Sequence, residues 1–404
     1  MNPIRERIRK YFRGRRASKP REGRPKAAAT RDVIRIPQTA DFSLKTCPPH
    51  VGPPIRVRYW PAYTNPYQQL FYGFASEHFE AQPGDATAAL ADLVDHPDKR
   101  ICFHLHWLNF LYEAARKGDG NAPFDRLLEA SLTVRERGAV IAWTIHNAVE
   151  HEAVDKNFEV NFRRQLAQIA DVIVVHGKQA ELLATSMFNA PPHKIINIPH
   201  GSYIGVYRDE IERDIARKRV KAPVRDTIFA NVGAMRPYKG LSELITSILE
   251  MDRSGGSVGL LLAGRAQPAY ADEIANMSGG SAAVRIDLGR IHDDEMQLYL
   301  NSADFLVLPY RSILTSGSAI LGLSFGRPVV APALGGLVDV IEDGVNGFLY
   351  DPASPGGLAT ALKRAASTDA QTRARMSQAA FAHATTLRWS DGRNIFIQAI
   401  ANGR

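Results

Sequence analysis

Two segments of the chain combine glycine, hydroxyl and cationic residues in the way that phosphate-binding loops require. The first spans residues 231–240, leaves a strand-like run, and contains Gly233, Arg236 and Lys239. Glycine lets the backbone approach a ligand, and two cations near a helix N-terminus can neutralise a diphosphate. Arginine and lysine also cap ordinary surface loops, so this segment alone leaves both interpretations open.

The second segment, residues 308–318, follows another strand-like run and opens a helix predicted over residues 319–325. Thr315 or Ser316 is a natural N-cap, and the N–H groups of the first turn, with Gly317 among them, can bind an anion. Capping alone would explain one hydroxyl residue but not the whole Thr-Ser-Gly-Ser run. Because both segments leave one predicted sheet at the same edge, together they predict a diphosphate site.

Histidines recur where the predicted strands of the first half of the chain end. The carboxyl ends of an open parallel sheet line its ligand crevice. One histidine there is more often structural than catalytic, but recurrence at four strands favours a functional role for at least one. A zinc hydrolase is the weaker hypothesis, since neither HExxH nor a partner at ligand spacing is present, and no metal is expected. The histidines are His104, His106, His146, His176 and His200.

The elements that must position these residues form two series. With 404 residues the chain exceeds what one hydrophobic core usually organises. Strand-like runs alternate with helix-length segments, which predicts an α/β fold of two Rossmann-like domains with parallel sheets that face each other across a cleft. The runs cover residues 55–60, 101–107, 140–146, 171–176 and 195–200, then 227–234, 258–264, 284–288, 305–309 and 328–331.

The same pattern predicts the domain boundaries. Residues 55–207 form the first domain, residues 208–225 an exposed helix or linker, residues 226–385 the second domain, and residues 386–404 a helix that crosses back. Neither domain has GxGxxG after its first strand, which weakens a dehydrogenase interpretation.

The positive charge of the chain is concentrated in its N-terminal arm, predicted over residues 1–54. Residues 1–35 hold 13 Lys and Arg against 3 Asp and Glu, a net +10, so the net +8 of the whole chain leaves −2 for the rest. A nucleic-acid-binding body is therefore not expected. The arm is either a short basic helix on anionic lipid or a solvated tail.

From residue 226 to 352 the sequence resembles the donor-binding half of the glycosyltransferase family 4 group of GT-B enzymes. The resemblance implies a nucleoside diphosphate held by Arg236 and Lys239, with the base near Arg290 and Ile291. If Arg236, Lys239 and a helix dipole stabilise the diphosphate leaving group, no metal or other cofactor is required. The matching segments are residues 233–240 (G-x-x-x-x-x-K-G), 261–264, 288–291, 302–309, 326–331 and 335–349.

One departure from that family concerns two glutamates eight positions apart, which would fall on Ile313 and Leu321. An exopolysaccharide-type subgroup resembles this sequence in its Pro-Tyr-Arg and Thr-Ser-Gly-Ser pattern. The sugar contacts of the glutamates must then be made by other side chains. The candidates are Tyr310, Arg311, Ser316 and Ser318.

Residues 143–152 resemble the Thr-x-His and His-Glu pattern of the same group. A transferase needs a group that receives the proton of the acceptor hydroxyl. His146 is the predicted contact to the transferring sugar or phosphate, and His151 and Glu152 are the candidate base or its orienting pair. A negatively charged first turn of a helix is an equal alternative. Residues on the acceptor side are predicted to be Asn65, Tyr67, His106, Trp107 and Asn109.

The sequence therefore predicts a hexosyltransferase that uses a nucleotide sugar and acts on a glycan or lipid-linked glycan in cell-surface polysaccharide synthesis. The predicted location is cytoplasmic, at the inner face of the membrane, since no apolar run approaches the roughly 20 residues of a membrane span. A nucleotide-sugar epimerase or hydrolase and a non-catalytic nucleotide-sugar-binding protein are the alternatives.

Overall fold

The computed structural model describes residues 52–63, 65–73, 76, 78–115, 120–149 and 155–402. Most of the predicted basic arm lies outside the described residues. So do two of the three predicted catalytic residues, His151 and Glu152.

The first domain is a six-stranded parallel sheet with the strand order β2-β1-β3-β4-β5-β6. Its strands are β1 (Ile55–Trp60), β2 (Phe79–Pro83), β3 (Arg100–Leu105), β4 (Val140–Thr144), β5 (Val172–Val175) and β6 (Ile195–Asn197). Its helices are α1 (Pro66–Tyr72), α2 (Ala86–Asp95), α3 (Asn109–Ala114), α4 (Ala122–Glu136), α5 (Lys156–Ile169) and α6 (Lys178–Phe188).

The second domain repeats this architecture, with the strand order β12-β11-β10-β7-β8-β9. Its strands are β7 (Thr227–Val232), β8 (Val258–Gly264), β9 (Val284–Leu288), β10 (Phe305–Val307), β11 (Val329–Pro332) and β12 (Gly347–Tyr350). The helices from the connection onward are α7 (Arg213–Arg219), α8 (Leu241–Arg253), α9 (Pro268–Ser278), α10 (Met296–Ser302), α11 (Gly317–Ser324), α12 (Leu337–Val340), α13 (Gly357–Ala366), α14 (Ala370–Thr386) and α15 (Trp389–Asn402).

Both sheets are covered on both faces, which explains why their central strands are continuous apolar runs. Every residue of β4, β5, β7 and β8 is buried. In α8 the residues Leu241, Leu244, Ile245 and Ile248 form the stripe that lies on the second sheet. Parallel strands with helices on both faces leave the carboxyl edge of each sheet open for a ligand.

The last helix, α15, returns to the first domain and packs into its core through Trp389, Phe396 and Ile400. The Arg393 guanidinium caps the end of α1 by donating to the carbonyls of Phe71 at 3.0 Å and Leu70 at 3.1 Å. This end of the chain is therefore part of the first domain.

The predicted α/β class with two parallel-sheet domains is confirmed. The sequence pattern did not predict β2 and β12, each of which forms one edge of its sheet. Residues 208–225, predicted as an exposed helix or linker, contain α7, and Arg213 and Arg217 of this helix form ion pairs with Asp304 of the second domain. Across the described ranges, each helix is too short or too polar to cross a membrane.

Candidate functional site

A cavity of about 470 Å³ lies between the carboxyl edges of the two sheets. Side chains of both domains line it, as expected for a ligand crevice in a doubly wound fold. The first domain contributes Tyr63, Asn65, Trp107, Asn109, Tyr112, Glu113 and Asn147. The second domain contributes Ala234, Arg236, Tyr238, Lys239, Tyr310, Ile313, Thr315, Ser316, Gly317 and Ser318.

The loop after β7 brings two cations to this cavity. A short 3₁₀ turn, Pro237–Lys239, separates Arg236 from the start of α8. Lys239 is largely buried, and its Nζ lies 5.9 Å from the centre of the Tyr310 ring. At Gly233, φ is 117°, a backbone angle that favours glycine, and Lys239 Nζ is the neighbouring group, 4.0 Å from the position that a Cβ would take. The loop therefore presents cations where the sequence predicted them.

Gly240 holds the two loops of the second domain together. Its φ of 68° is left-handed, and a Cβ there would lie 2.1 Å from the carbonyl oxygen of Pro309. Only glycine accommodates both the backbone angle and this close approach. The backbone N–H of Arg311 also donates to the carbonyl of Tyr238 at 2.9 Å.

The N-terminus of α11 forms the next part of the wall. Ser316 is the N-cap, and its Oγ accepts from the N–H of Ala319 at 3.2 Å. Gly317 and Ser318 follow in the first turn, where free N–H groups favour an anion. Thr315 Oγ1 is buried and has no hydrogen-bond partner within the described part of the chain. Two cations, a helix N-terminus and an unpaired hydroxyl together suit a diphosphate.

Four predicted donor residues lie outside the lining of the cavity, namely Gly233, Arg290, Ile291 and Arg311. Arg290 and Ile291 follow β9, the last strand of the sheet, so their loop is displaced from its centre. Arg311 has an exposed side chain and takes part through its backbone only. Of the two positions where glutamates were expected, Ile313 lines the cavity and Leu321 packs against the core.

Aromatic side chains dominate the first-domain wall. Asn65 is the N-cap of α1, with its Oδ1 accepting from Tyr67 N–H at 3.1 Å. Tyr63 donates its hydroxyl to the amide oxygen of Asn109 and packs edge-on against Trp107 at 5.2 Å. The sequence predicted Asn65, Trp107 and Asn109 here, but gave no signal for Tyr112 or Glu113, which reach the wall from α3.

Two predicted acceptor residues are instead buried behind this wall. Tyr67 is 2 % exposed, and its hydroxyl is bonded to His176 Nε2 at 2.8 Å. His106 is 1 % exposed and lies between the Tyr72 hydroxyl at 2.7 Å and His146 Nε2 at 3.0 Å. Neither side chain lines the cavity in this structure, and the assignment of both residues to the acceptor stays a prediction.

His106 belongs to a continuous chain of hydrogen bonds under the cavity. The Thr144 hydroxyl bonds to His104 Nε2 at 2.8 Å, and His104 Nδ1 bonds to the Tyr72 hydroxyl at 2.5 Å. The same hydroxyl bonds to His106, which bonds to His146. His146 then stacks on Trp107, a residue of the cavity wall. The chain links the sheet interior to the cleft, and the sequence gave no signal for Tyr72.

Burial keeps these imidazoles neutral. Burial first, and then a neighbouring histidine, lower the pKa of His106 and the pKa of His176 to about 3. The pKa of His104 and that of His146 also fall well below the usual value, first through burial and then through neighbouring histidines. A neutral imidazole has one donor and one acceptor nitrogen, so the chain orients His146 and does not store charge.

Asn147 is the last cavity residue before the undescribed residues 150–154. Its carbonyl accepts from the Arg163 guanidinium at 2.9 Å, and this guanidinium is paired with the buried Glu159 at 2.7 Å. The pair fixes the backbone just after His146. His, Cys, Asp and Glu side chains of the described segments include no group arranged to hold a metal ion.

Comparisons with known proteins agree with this architecture. The family model of group 1 glycosyl transferases matches residues 226–368. The structure of Anabaena Alr3699/HepE in complex with UDP covers 85% of this chain and 98% of its own, with a TM-score of 0.62 and 16% identity. The Rickettsia africae glycosyltransferase structure covers 86% of this chain and 96% of its own, with a TM-score of 0.62 and 12% identity.

The curated relatives match less of the chain. D-inositol 3-phosphate glycosyltransferase of Corynebacterium efficiens is 27% identical over 236 residues, 56% of this chain and 55% of the relative. The Mycobacterium bovis protein of the same name is 29% identical over 234 residues, 56% of this chain and 48% of the relative. The chain thus spans about half the length of these relatives.

The two facing sheets and the cleft between them define a protein of the GT-B fold. The chain has this fold, and its second domain matches the family model of group 1 glycosyl transferases over residues 226–368. The resemblance found in the sequence is therefore confirmed, and the exopolysaccharide-type subgroup stays a prediction.

Proposed function

We propose that the protein transfers a hexosyl unit from a nucleoside-diphosphate sugar to a glycan or lipid-linked glycan. The observation that carries this proposal is the composition of the cleft between the two sheets. Its second-domain wall has Arg236, Lys239 and the α11 N-terminus, and its first-domain wall is aromatic. The second-domain wall suits a diphosphate, and the aromatic first-domain wall suits the apolar face of a sugar ring.

The donor is proposed to be a uridine diphosphate sugar. Anabaena Alr3699/HepE, which shares the fold, was solved with UDP and with UDP and glucose. Because Ile313 stands in the place of a glutamate, neutral groups would form the hydrogen bonds to the sugar hydroxyls. One of these groups is Thr315 Oγ1, which has no hydrogen-bond partner among the described residues. Arg236, Lys239 and the helix dipole stabilise the departing diphosphate, so the reaction as proposed requires no metal.

The first-domain wall favours transfer over hydrolysis or epimerisation. Tyr63, Trp107 and Tyr112 offer ring faces and edges that neither a water molecule nor an isolated donor would need. Closure of the domains around both substrates would exclude water. A role in cell-surface polysaccharide synthesis and attachment of the N-terminal arm to the inner membrane face are parts of the same proposal.

The test is a panel of UDP-, GDP- and ADP-sugars incubated with and without glycan and lipid-linked acceptors, with release of nucleoside diphosphate as the readout. Release that depends on an acceptor, with a glycosylated product, supports transfer. Equal release without acceptor indicates a hydrolase, and an isomerised donor indicates an epimerase. Donor binding without turnover across the panel indicates a binding protein. NMR of the product then gives the anomeric configuration.

A further inference from the structure

The second domain has another cavity, of about 400 Å³, at the opposite edge of its sheet. Asp304 comes directly before β10, and Arg327 stands shortly before β11, so the cavity lies at the amino ends of these strands. The six residues of β7 run from this edge of the sheet to the edge at the donor cleft, so the two edges are roughly 16 Å apart. We name it the Asp304 cavity; its polar lining is Arg213, Asp304, Arg327, Arg373, Ser377 and Gln378.

Arginines outnumber carboxylates around this cavity. The buried Asp304 carboxylate pairs with Arg213 at 2.7 Å, Arg217 at 2.7 Å and Arg373 at 3.2 Å. It also accepts the N–H of Ile228 at 2.7 Å, so its oxygens are fully used. Arg327 lies beside them, and its pKa is lowered to about 10 by burial and by the nearby Arg213.

The local charge does not balance within the described residues. Four guanidiniums face two carboxylates, Asp304 and Asp209, which leaves an excess of two positive charges. The Arg213 side chain is 42 % exposed and that of Arg217 25 %, so the cost of buried charge falls mainly on Arg327 and Arg373, and an anionic ligand would offset that cost. Two of the arginines also cap helix ends, since Arg217 donates to Ser302 O and Arg327 to Phe325 O. Capping does not explain why three arginines, Arg213, Arg327 and Arg373, line an open cavity.

One donor is unsatisfied. Arg373 Nε is buried and has no hydrogen-bond partner in the described part of the protein, although the other nitrogens of the group are bonded. Arg373 stands in the first turn of α14, and the N–H of Thr372 in that turn is taken by Asp369 at 2.7 Å. The arginines and the cavity, rather than the helix end, therefore make the site.

We propose that the Asp304 cavity binds a phosphate-type oxyanion, independently of the donor cleft. An adjoining groove of about 550 Å³ shares Gly326, Ser377 and Gln378 and includes Phe325 and the 43 % exposed Phe381. The anion can thus be a free phosphate group or the phosphate of an amphiphile whose apolar part lies in this groove. Guanidinium groups recognise either through charge-assisted hydrogen bonds.

The test measures inorganic phosphate binding by calorimetry at low ionic strength, where screening is weak. It uses the Arg236→Ala/Lys239→Ala protein, so that the donor cleft does not contribute. We expect one bound phosphate. Adding Arg213→Gln or Arg327→Gln should each weaken binding at least tenfold. Arg213→Gln leaves Asp304 paired with Arg217 and Arg373, so the fold is preserved, and melting curves verify this. The matched control is Arg225→Gln, which removes a pair with Asp252.

Absence of phosphate binding in the Arg236→Ala/Lys239→Ala protein overturns the proposal, as does equal affinity in the Arg213, Arg327 and Arg225 variants. A second titration with a short-chain phosphatidate below its micelle concentration identifies the source. Tighter binding than that of inorganic phosphate, lost on Phe381→Ser, assigns an amphiphile. Equal binding assigns a free phosphate. Neither arm depends on transferase activity, so failure here leaves the proposed function untouched.

Discussion

The indole of Trp107 stacks on the imidazole of His146, with ring centres 3.8 Å apart and planes 9° apart. Trp107 lines the cleft, whereas His146 is 8 % exposed and bonded from behind by His106. The tryptophan therefore covers one face of the imidazole and holds its plane.

Removing this cover should affect turnover more than donor binding. We expect Trp107→Ala to lower kcat by about 10–100-fold, because small misplacements of a reacting group are costly. Calorimetric affinity for UDP should stay within about twofold, and Trp107→Phe should recover part of kcat. A fall in UDP affinity as large as the fall in kcat would show that Trp107 serves the donor instead.

The cations of the second domain should contribute to nucleotide affinity. Arg236→Ala and Lys239→Ala each remove a charge-assisted hydrogen bond, which costs about 1.5–3 kcal/mol. Calorimetry with the nucleoside diphosphate measures this loss. Arg311→Ala is the control, since its exposed side chain is outside the cleft lining, and its affinity should equal that of the unaltered protein. Unchanged affinity in both the Arg236→Ala and the Lys239→Ala variants would rule out a diphosphate site at these residues.

The buried histidines should make the protein sensitive to mild acid. The native pKa of His106 and that of His176 are about 3, below the unfolded value near 6.5. Above pH 6.5 neither state takes up the proton. Below it only the unfolded state does, so stability falls by about 1.4 kcal/mol per pH unit for each such histidine down to about pH 3.

Urea unfolding at pH 7 and at pH 5.5 measures this slope. His176→Asn keeps a hydrogen-bond donor for the carbonyl of Ile198. It should reduce the pH dependence of the unfolding free energy by the contribution of one histidine. An unchanged slope in His176→Asn would mean that this imidazole is protonated in the native protein.

Gly240 and Gly255 form a matched pair for the backbone of the donor loop. Both have positive φ, 68° and 86°, but a Cβ at Gly255 meets no atom within 4 Å. Gly255→Ala should therefore cost only the roughly 1–2 kcal/mol of a left-handed alanine. Gly240→Ala must also displace Pro309, so we expect a larger loss of stability in urea and weaker nucleotide binding. Equal stability of the two variants would contradict the close approach.

The catalytic base is predicted to be His151 or Glu152, which lie outside the described residues. Since Ile313 and Leu321 carry no charge, acid–base work should fall on the first domain. Replacing the base with alanine should lower kcat by about 10²–10⁴-fold with donor affinity near normal. His146→Ala should also lower kcat. If the double variant His151→Ala/Glu152→Ala keeps full kcat, the base lies elsewhere.

The strands with continuous apolar runs were predictable, and β1, β8 and β9 have the predicted bounds. β12 was missed because Gly347–Tyr350 begins with glycine, follows the turn-like Asp-Gly-Val-Asn segment and is only half buried, and β2 because Phe79–Pro83 is partly exposed and ends in proline. The donor loops were predictable because glycine, cations and hydroxyls are local in sequence. The histidine chain was not, because Tyr72 meets His104 and His106 only through the packing of α1 on the sheet.

The chain passes between the domains twice, and the two passages touch. Ser202 N–H donates to Leu387 O at 2.8 Å, and its carbonyl accepts from Trp389 Nε1 at 2.7 Å. If a protease cut the first passage, the packing of α15 on the first domain would still hold the two domains together. If it cut the second passage, the intact peptide chain of the first passage would connect them. Because these two hydrogen bonds join the passages side by side, the domains are connected by the chain at one place, and any opening of the cleft must pivot there.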